Sequence, residues 1–296
     1  MFIKLTRQQV LNNIHLRKYC TTAVKMSEKS NGVKLNDVIS VLEKFAPKLL
    51  SESWDNTGLL VEPYTPRNIN KILLTNDLTE AVALEAKQHN CEMIISYHPP
   101  IFAPLKTVIQ SSWKERIVSL LLEHRISLYS PHTSWDSVKG GVNDWLACAF
   151  PFVESIPIMP GEDPNTGAGR FLRIESGFSL SEAIKSVKIL TGLKHVRLAL
   201  GKERTLTDNI GSVALCAGSG SSVLKKVPTA DLFLTGEMLH HDVLDAAQRG
   251  ISVILTNHSD SERGFLTGFS SHLQSQLDNK VKVIVSEFDK DPLSTV

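Results

Sequence analysis

Side chains that can bind metal ions follow five short apolar runs of this 296-residue sequence. The runs end at Asp77, His98, His132, Glu237 and His258, and Asp136, His240, His241 and Glu262 follow within a few positions. Imidazole and carboxylate groups together bind zinc, manganese, iron or nickel, whereas calcium and magnesium prefer shells made almost entirely of oxygen. The pattern therefore predicts a site for a divalent ion such as zinc, manganese or iron.

His258 and Glu262 form the most informative pair. If a helix begins at Ser259, His258 lies just before it and Glu262 lies in its first turn, so both could reach one point ahead of the helix. The same spacing fits a capping box, in which the Glu262 carboxylate only satisfies backbone amides. The residues alone leave both interpretations open.

The other candidate ligands also have alternative interpretations. Pro99 disfavours a helix at His98 and holds this imidazole in an extended segment, but a buried, hydrogen-bonded histidine fits the same position. His132 and Asp136 are either two ligands or a turn in which the carboxylate orients the imidazole.

Further polar groups could serve a reaction or bind a substrate. Glu237, His240 and His241 are candidates for orienting ligands or contacting a substrate, although two of them could simply lie on a helix surface. The glycine-rich turn 217–222 exposes backbone amides suited to phosphate. It lacks the lysine of a P-loop, and a tight strand-to-helix turn explains it as well.

The apolar runs alternate with amphipathic segments, and this alternation predicts an α/β fold with largely parallel sheets. We predict helices at 35–46, 79–90, 113–125, 140–150, 180–192, 239–249 and 261–278. We predict strands at 70–77, 92–98, 126–131, 170–175, 195–200, 211–217, 231–235, 251–256 and 281–287. Open α/β sheets bind ligands at the carboxyl ends of their strands, which is where the polar residues fall.

A segment rich in proline and glycine, 151–169, interrupts the pattern and predicts a linker between an N-terminal lobe, 34–150, and a C-terminal lobe, 170–296. We expect two similar α/β lobes that face each other across a metal-binding cleft. Residues 1–33 form a predicted leader, whose first 27 positions contain basic but no acidic residues. Such a leader is typical of a mitochondrial transit peptide, and equally of a basic tail, so we expect a cytoplasmic or mitochondrial protein.

The composition of the chain argues against nucleic acids and membranes as partners. The formal net charge is +1, from 32 basic and 31 acidic residues, and provides no field that would attract nucleic acid. No apolar run approaches the length of a membrane span. The four cysteines lie far apart, which argues against a disulfide framework or a zinc-thiolate site. We therefore expect neither direct nucleic-acid binding nor a membrane partner.

Five motifs resemble the Nif-three-like family, whose bacterial relatives are named GTP cyclohydrolase type 2 homologues. They are SYHPPIF at 96–102, SPHTSWD at 130–136, LCAGSGSSVL at 215–224, LTGEMLHHD at 234–242 and NHSDSERG at 257–264. The similarity runs from about residue 35 to the C-terminus. The short connection at 151–169 is similar to the eukaryotic form without the central inserted domain.

The resemblance implies a two-lobed α/β fold, a cleft with one or two divalent metal ions, and assembly into homo-oligomers. By motif, the family's metal ligands fall on His98, Asp136, His258 and Glu262, with Glu262 bridging two ions. Many bacterial relatives carry a second histidine directly before His98, where this chain has Tyr97. We therefore expect one ion, with a second one possible.

Two functions are compatible with these observations. The first is a metal-dependent hydrolase that acts on a nucleotide or other phosphorylated metabolite, with His132, Glu237 and His240 as candidates for general acid or base. The alternative is a non-catalytic metal-binding adaptor or regulatory protein, in which the ion braces the two lobes.

Overall fold

The computed structural model describes residues 32–294, so most of the predicted leader lies outside the described residues. Its helices are α1 (Leu35–Phe45), α2 (Glu80–Gln88), α3 (Trp113–Glu123), α4 (Thr133–Ser137), α5 (Val142–Ala147), α6 (Leu180–Thr191), α7 (Ser221–Leu224), α8 (His240–Gln248) and α9 (Phe265–Gln276). Its strands are β1 (Gly58–Val61), β2 (Lys71–Thr75), β3 (Met93–Ser96), β4 (Ser127–Ser130), β5 (Phe152–Ile156), β6 (Met159–Pro160), β7 (Gly167–Ala168), β8 (Arg170–Ile174), β9 (Arg197–Ala199), β10 (Ser212–Cys216), β11 (Leu232–Thr235), β12 (Ser252–Leu255) and β13 (Lys282–Val285). In this described part, no helix has the length and apolarity needed to cross a membrane.

The first sheet has the strand order β1-β4-β3-β2-β13. β13, β2, β3 and β4 run parallel, and only β1 is antiparallel to its neighbour β4. Successive side chains of β2 enter different cores, because Ile72 and Leu74 pack on one face and Leu73 packs on the other. This two-sided burial explains why β2 reads as a continuous apolar run.

The second sheet has the order β5-β8-β10-β11-β12-β9. Its three inner strands, β10, β11 and β12, are parallel, and antiparallel strands lie beside them on both sides. A two-stranded hairpin of β6 and β7 follows β5. Together the two sheets confirm the predicted α/β class.

One hydrophobic core joins the two sheets. It contains Leu74 of the first sheet, Leu215 of the second, and side chains of α1, α5, α6 and α9. A second core packs α2 and α3 on the outer face of the first sheet, and a third packs α7 and α8 on the outer face of the second. The helices therefore cover both faces of each sheet, as the apolar strand runs predicted.

The C-terminal strand returns to the first sheet. β13 pairs in parallel with β2, although it follows 170–280 in the chain. A run such as KVIV suits a buried strand of either sheet, so the local pattern does not specify which one it joins. The segment 151–169, predicted as a linker, carries β5, β6 and β7. The division of the chain into two lobes at this segment stays a prediction.

Candidate metal centre

Strand ends of both sheets carry the polar side chains of the site. In the first sheet Asp77 follows β2 and His98 follows β3, and in the second sheet His258 follows β12. The backbone at His132 and Asn257 has positive φ, 37° and 68°, a conformation that residues other than glycine adopt rarely. Unusual backbone of this kind is frequent where a fold directs side chains into a functional site.

His98, His258 and Glu262 form the closest group of potential ligands. One ligand atom of each residue lies within 4.8 Å of the other two. Nε2 of His98 is 3.5 Å from Oε2 of Glu262, and Nε2 of His258 is 3.5 Å from Oε1 of the same carboxylate. The Glu262 carboxylate therefore lies between two imidazoles that come from different sheets.

The far ring nitrogen of each imidazole is held by another carboxylate. Nδ1 of His98 donates to Oδ1 of Asp77 at 2.8 Å, and Nδ1 of His258 donates to Oε2 of Glu237 at 3.0 Å. With the proton on Nδ1, the lone pair of Nε2 is available to a metal ion. This pairing of carboxylate and histidine is the arrangement that orients metal-binding imidazoles in proteins.

Glu262 carries a buried carboxylate, which is 3% exposed. Burial, followed by the charge of Asp136, raises the pKa of Glu262 well above its usual value, against the opposing effect of a hydrogen bond from Asn76 Nδ2 at 3.0 Å. A buried carboxylate is costly unless a cation or several hydrogen bonds compensate it. The donor set and the burial of this carboxylate both fit a divalent cation.

Gly218 makes room for this carboxylate. A Cβ atom at this position would lie 2.5 Å from Oε1 of Glu262 and 3.1 Å from Nε2 of His258, and the φ of Gly218 is +63°. Three amides of the glycine-rich turn already donate hydrogen bonds within the protein: Ala217 to Asn143 Oδ1, Gly218 to Ser261 Oγ and Gly220 to Thr235 Oγ1. Gly218 therefore allows the turn to approach the Glu262 side chain closely.

Asp136, the fourth predicted ligand, lies beside the close group and outside it. Its Oδ1 accepts a hydrogen bond of 2.5 Å from the hydroxyl of Tyr97. Burial raises the pKa of Asp136, and the Tyr97 hydrogen bond opposes that rise. Asp136 does not hydrogen-bond His132, so the predicted turn in which it orients that imidazole is replaced by a contact with Tyr97.

His132 is oriented by Asp55, a residue that the sequence patterns did not single out. Nδ1 of His132 donates to Oδ1 of Asp55 at 2.7 Å, and the amide and hydroxyl of Thr133 donate to Oδ2. Burial alone would raise the pKa of Asp55, but these hydrogen bonds outweigh it and hold the pKa below its usual value. Asp55 precedes β1 in a loop, so a search of strand ends does not find it.

A cavity of about 370 Å³ reaches two members of this group, His258 and Glu262, whereas His98 does not line it. The predicted residues that line it are His132, Asp136, His258 and Glu262. The Cys216 thiol also lines the cavity, and burial followed by the charge of Asp136 raises its pKa, so the thiol stays neutral. This size is sufficient for a small metabolite.

Two residues predicted as general acid or base, Glu237 and His240, do not line this cavity. Glu237 contacts the far nitrogen of His258, as described above. His240 begins α8 and lines a separate groove with Leu255 and Arg197, and its ring lies 5.3 Å from that of His241. The structure therefore does not bring His240 into the cavity that holds the proposed ligands.

The turn that carries Glu262 is fixed by the chain after β13. A short 3₁₀ turn, Ser259–Ser261, precedes α9, so the helix begins later than predicted. The amide and hydroxyl of Ser259 donate to Asp291, and the amide of Asn76 donates to Asp289 at 2.6 Å. Asp291 occupies the groups that a capping box would use, so the Glu262 side chain faces the two imidazoles instead.

Comparisons with known proteins agree with the motifs. The family described as Duf34/NIF3 (NGG1p interacting factor 3) has a sequence model that matches residues 33–292. NIF3-like protein 1 of Drosophila melanogaster is 51% identical over 269 residues, which are 90% of this chain and 90% of that protein. NIF3-like protein 1 of Homo sapiens is 39% identical, covering 88% of this chain and 92% of the relative. In structure, a Bacillus cereus protein related to NIF3 superposes with a TM-score of 0.79 at 21% identity, covering 88% of this chain and 98% of that one.

Proposed function

This chain belongs to the Duf34/NIF3 family, and we propose that it is a divalent-metal-dependent hydrolase that acts on a nucleotide or other phosphorylated metabolite. One observation supports this function most directly: His258 and Glu262, two of the three grouped ligands, line a cavity that also contains an imidazole oriented by a carboxylate. A site that only bound a metal ion would not need this oriented imidazole. We place the predicted cleft between the strand ends of the two sheets.

In this proposal His98, His258 and Glu262 hold the ion, and Asp136 completes the set. A zinc, manganese or iron ion bound here would supply a Lewis acid that polarises an oxygen of the substrate. One ion is proposed, because Tyr97 has no metal-binding nitrogen and engages an oxygen of Asp136. We also propose, from the resemblance alone, that the protein forms homo-oligomers.

His132 is the proposed general base. Asp55 is ionised and fixes the proton of His132 on Nδ1, so that Nε2 can accept a proton within the cavity. The imidazole would take a proton from the attacking water and return it to the leaving group. The negative charge of Asp55 stabilises the imidazolium that exists between these two transfers.

The alternative is a metal-binding adaptor without catalysis. One observation favours it: the ligands come from both sheets. His98 follows a strand of the first sheet, and His258 follows a strand of the second. An ion held between them would brace the two sheets and stabilise the fold.

Metal analysis and a hydrolysis screen separate the two functions. Purified wild-type protein and Glu262→Gln would be assayed for metal content and for hydrolysis of nucleoside mono-, di- and triphosphates and p-nitrophenyl phosphate. Glu175→Gln, a change of an exposed carboxylate, is the matched control. We expect metal and turnover in wild type and control, and loss of both in Glu262→Gln.

Two results would contradict the hydrolase. Turnover that persists in protein stripped of metal would remove the role of the ion. Stoichiometric metal without turnover on any of these substrates would favour the adaptor.

A further inference from the structure

Trp54 is a large aromatic residue that lies in the cavity wall and stays 59% exposed. Its ring centroid is 6.1 Å from that of Phe102 and 6.0 Å from that of His132, with both pairs of rings strongly inclined. These contacts hold the indole in place without covering it. An exposed apolar ring at a cavity is the kind of surface that binds a ligand.

Lys226 brings a positive charge to the same cavity. Within residues 32–294, no carboxylate forms an ion pair with its ammonium group, whereas the neighbouring Lys225 pairs with Asp242 at 2.7 Å. The hydroxyl-bearing Ser222 also lines the cavity. The cavity thus combines an open aromatic surface with a cation that has no partner in the described protein.

We propose that this cavity contains a recognition subsite for a phosphorylated ligand with a planar heteroaromatic ring. The ring stacks on Trp54, and the phosphate binds the ammonium of Lys226. The inference rests on the proposed function, because the subsite shares its cavity with the ligand group, and it names the class of substrate. Nucleoside monophosphates are the simplest members of that class.

The apolar part of the lining favours this class over smaller anions. Met159, Ala168 and Val223 add apolar surface to the wall. Inorganic phosphate or a sugar phosphate would bind Lys226 but would leave Trp54 and this apolar surface in contact with water. A heteroaromatic ring covers them, and stacking of a base on an aromatic side chain strengthens binding by about tenfold.

Calorimetric titration tests the two contacts separately. The probes are the four common ribonucleoside 5′-monophosphates, their nucleosides and ribose 5-phosphate, each added to wild type, Trp54→Ala, Trp54→Phe and Lys226→Met. Trp113→Ala is the matched control, because Trp113 is also exposed but does not line the cavity. Circular dichroism and melting curves establish that each variant is folded.

We expect at least one nucleotide to bind more tightly than ribose 5-phosphate. Trp54→Ala should weaken its binding about tenfold, and Trp54→Phe should weaken it less. Lys226→Met should weaken the nucleotide and ribose 5-phosphate but leave the nucleoside unchanged. Equal binding of ribose 5-phosphate and all four nucleotides would overturn the proposal, as would unchanged nucleotide affinity in Trp54→Ala.

A Glu262→Gln variant distinguishes failure of the subsite from failure of the hydrolase. If the subsite is correct, the nucleotide still binds this variant and the binding still depends on Trp54, whether or not the wild type hydrolyses anything. If wild type turns over a nucleotide with kinetics that Trp54→Ala does not change, the subsite is wrong and the hydrolase stands.

Discussion

The hydroxyl of Tyr97 donates a hydrogen bond of 2.5 Å to Oδ1 of Asp136. Burial and the charge of Asp136 raise the pKa of Tyr97 well above its usual value, so the phenol remains a protonated donor. Tyr97 stands directly before His98, where a second imidazole would add a ligand for a second ion. This contact is the structural reason for proposing a single ion.

Metal stoichiometry tests that reason. We expect about one ion per chain in wild type and in Tyr97→Phe, since neither phenol nor phenyl is a ligand of choice for zinc. Tyr97→His supplies an imidazole and frees an oxygen of Asp136, so it should raise the metal content above the wild-type value. Elemental analysis after dialysis measures this. Two ions in the wild type would show that Tyr97 does not limit the site.

Gly218 should be important for metal binding, because a side chain at this position would meet the Glu262 carboxylate. In Gly218→Ala the new methyl group meets Oε1 of Glu262, and we expect metal affinity to fall at least about tenfold. Gly177→Ala is a matched control, because Gly177 also has a positive φ, +89°, but no atom lies within 4 Å of its Cβ position. Competition with a chromophoric chelator measures the affinity. Equal loss in both variants would mean that backbone strain alone is responsible.

Removal of the Asp55 carboxylate should affect turnover more than metal binding. In Asp55→Asn the proton of His132 is no longer fixed by a charge, and we expect kcat to fall about 100-fold or more with little change in KM or metal content. Asp245→Asn, a change of an exposed carboxylate, is the control. An unchanged kcat in a folded Asp55→Asn protein would exclude His132 as the general base.

Strand-end positions were sufficient to predict two members of the candidate ligand group. His98 and His258 each follow a buried run of β-branched and aliphatic residues, so the strand and its polar end are visible together in the sequence. The predicted helices and strands of the regular α/β units agree with those observed within a few residues. The periodicity of buried strands and amphipathic helices is therefore enough for the regular part of the fold.

Contacts between distant segments could not be predicted in this way. Ser286 and the buried Glu85 are hydrogen-bonded across 201 positions of the chain, and Asp289 reaches Asn76 across 213. Neither pair leaves a local pattern, because each depends on β13 joining the first sheet. The same reasoning applies to Asp55, whose partner His132 lies 77 positions away.

Asp231 should make the stability of the second sheet dependent on pH. Its carboxylate accepts hydrogen bonds from the amides of Gly211 and Ser212 at 2.9 and 3.1 Å, and pairs with Arg204. Burial alone would raise the pKa of Asp231, but these hydrogen bonds outweigh it and the net pKa is lowered. The folded state therefore holds its proton less tightly than the unfolded state, whose pKa is about 3.9.

The direction of the pH dependence follows from this difference in pKa between the folded and unfolded states. The contribution of Asp231 to the free energy of unfolding is present above about pH 4 and is lost as the pH falls through the lower pKa of the folded state. Asp231→Asn should lower the free energy of unfolding by about 2 kcal/mol near neutral pH, and the difference from wild type should shrink in acid. Urea denaturation at a series of pH values measures it, with the exposed Asp245→Asn as control. A difference that stays constant from neutral to strongly acidic pH would mean that packing of the side chain, and not its charge, stabilises the junction of β10 and β11.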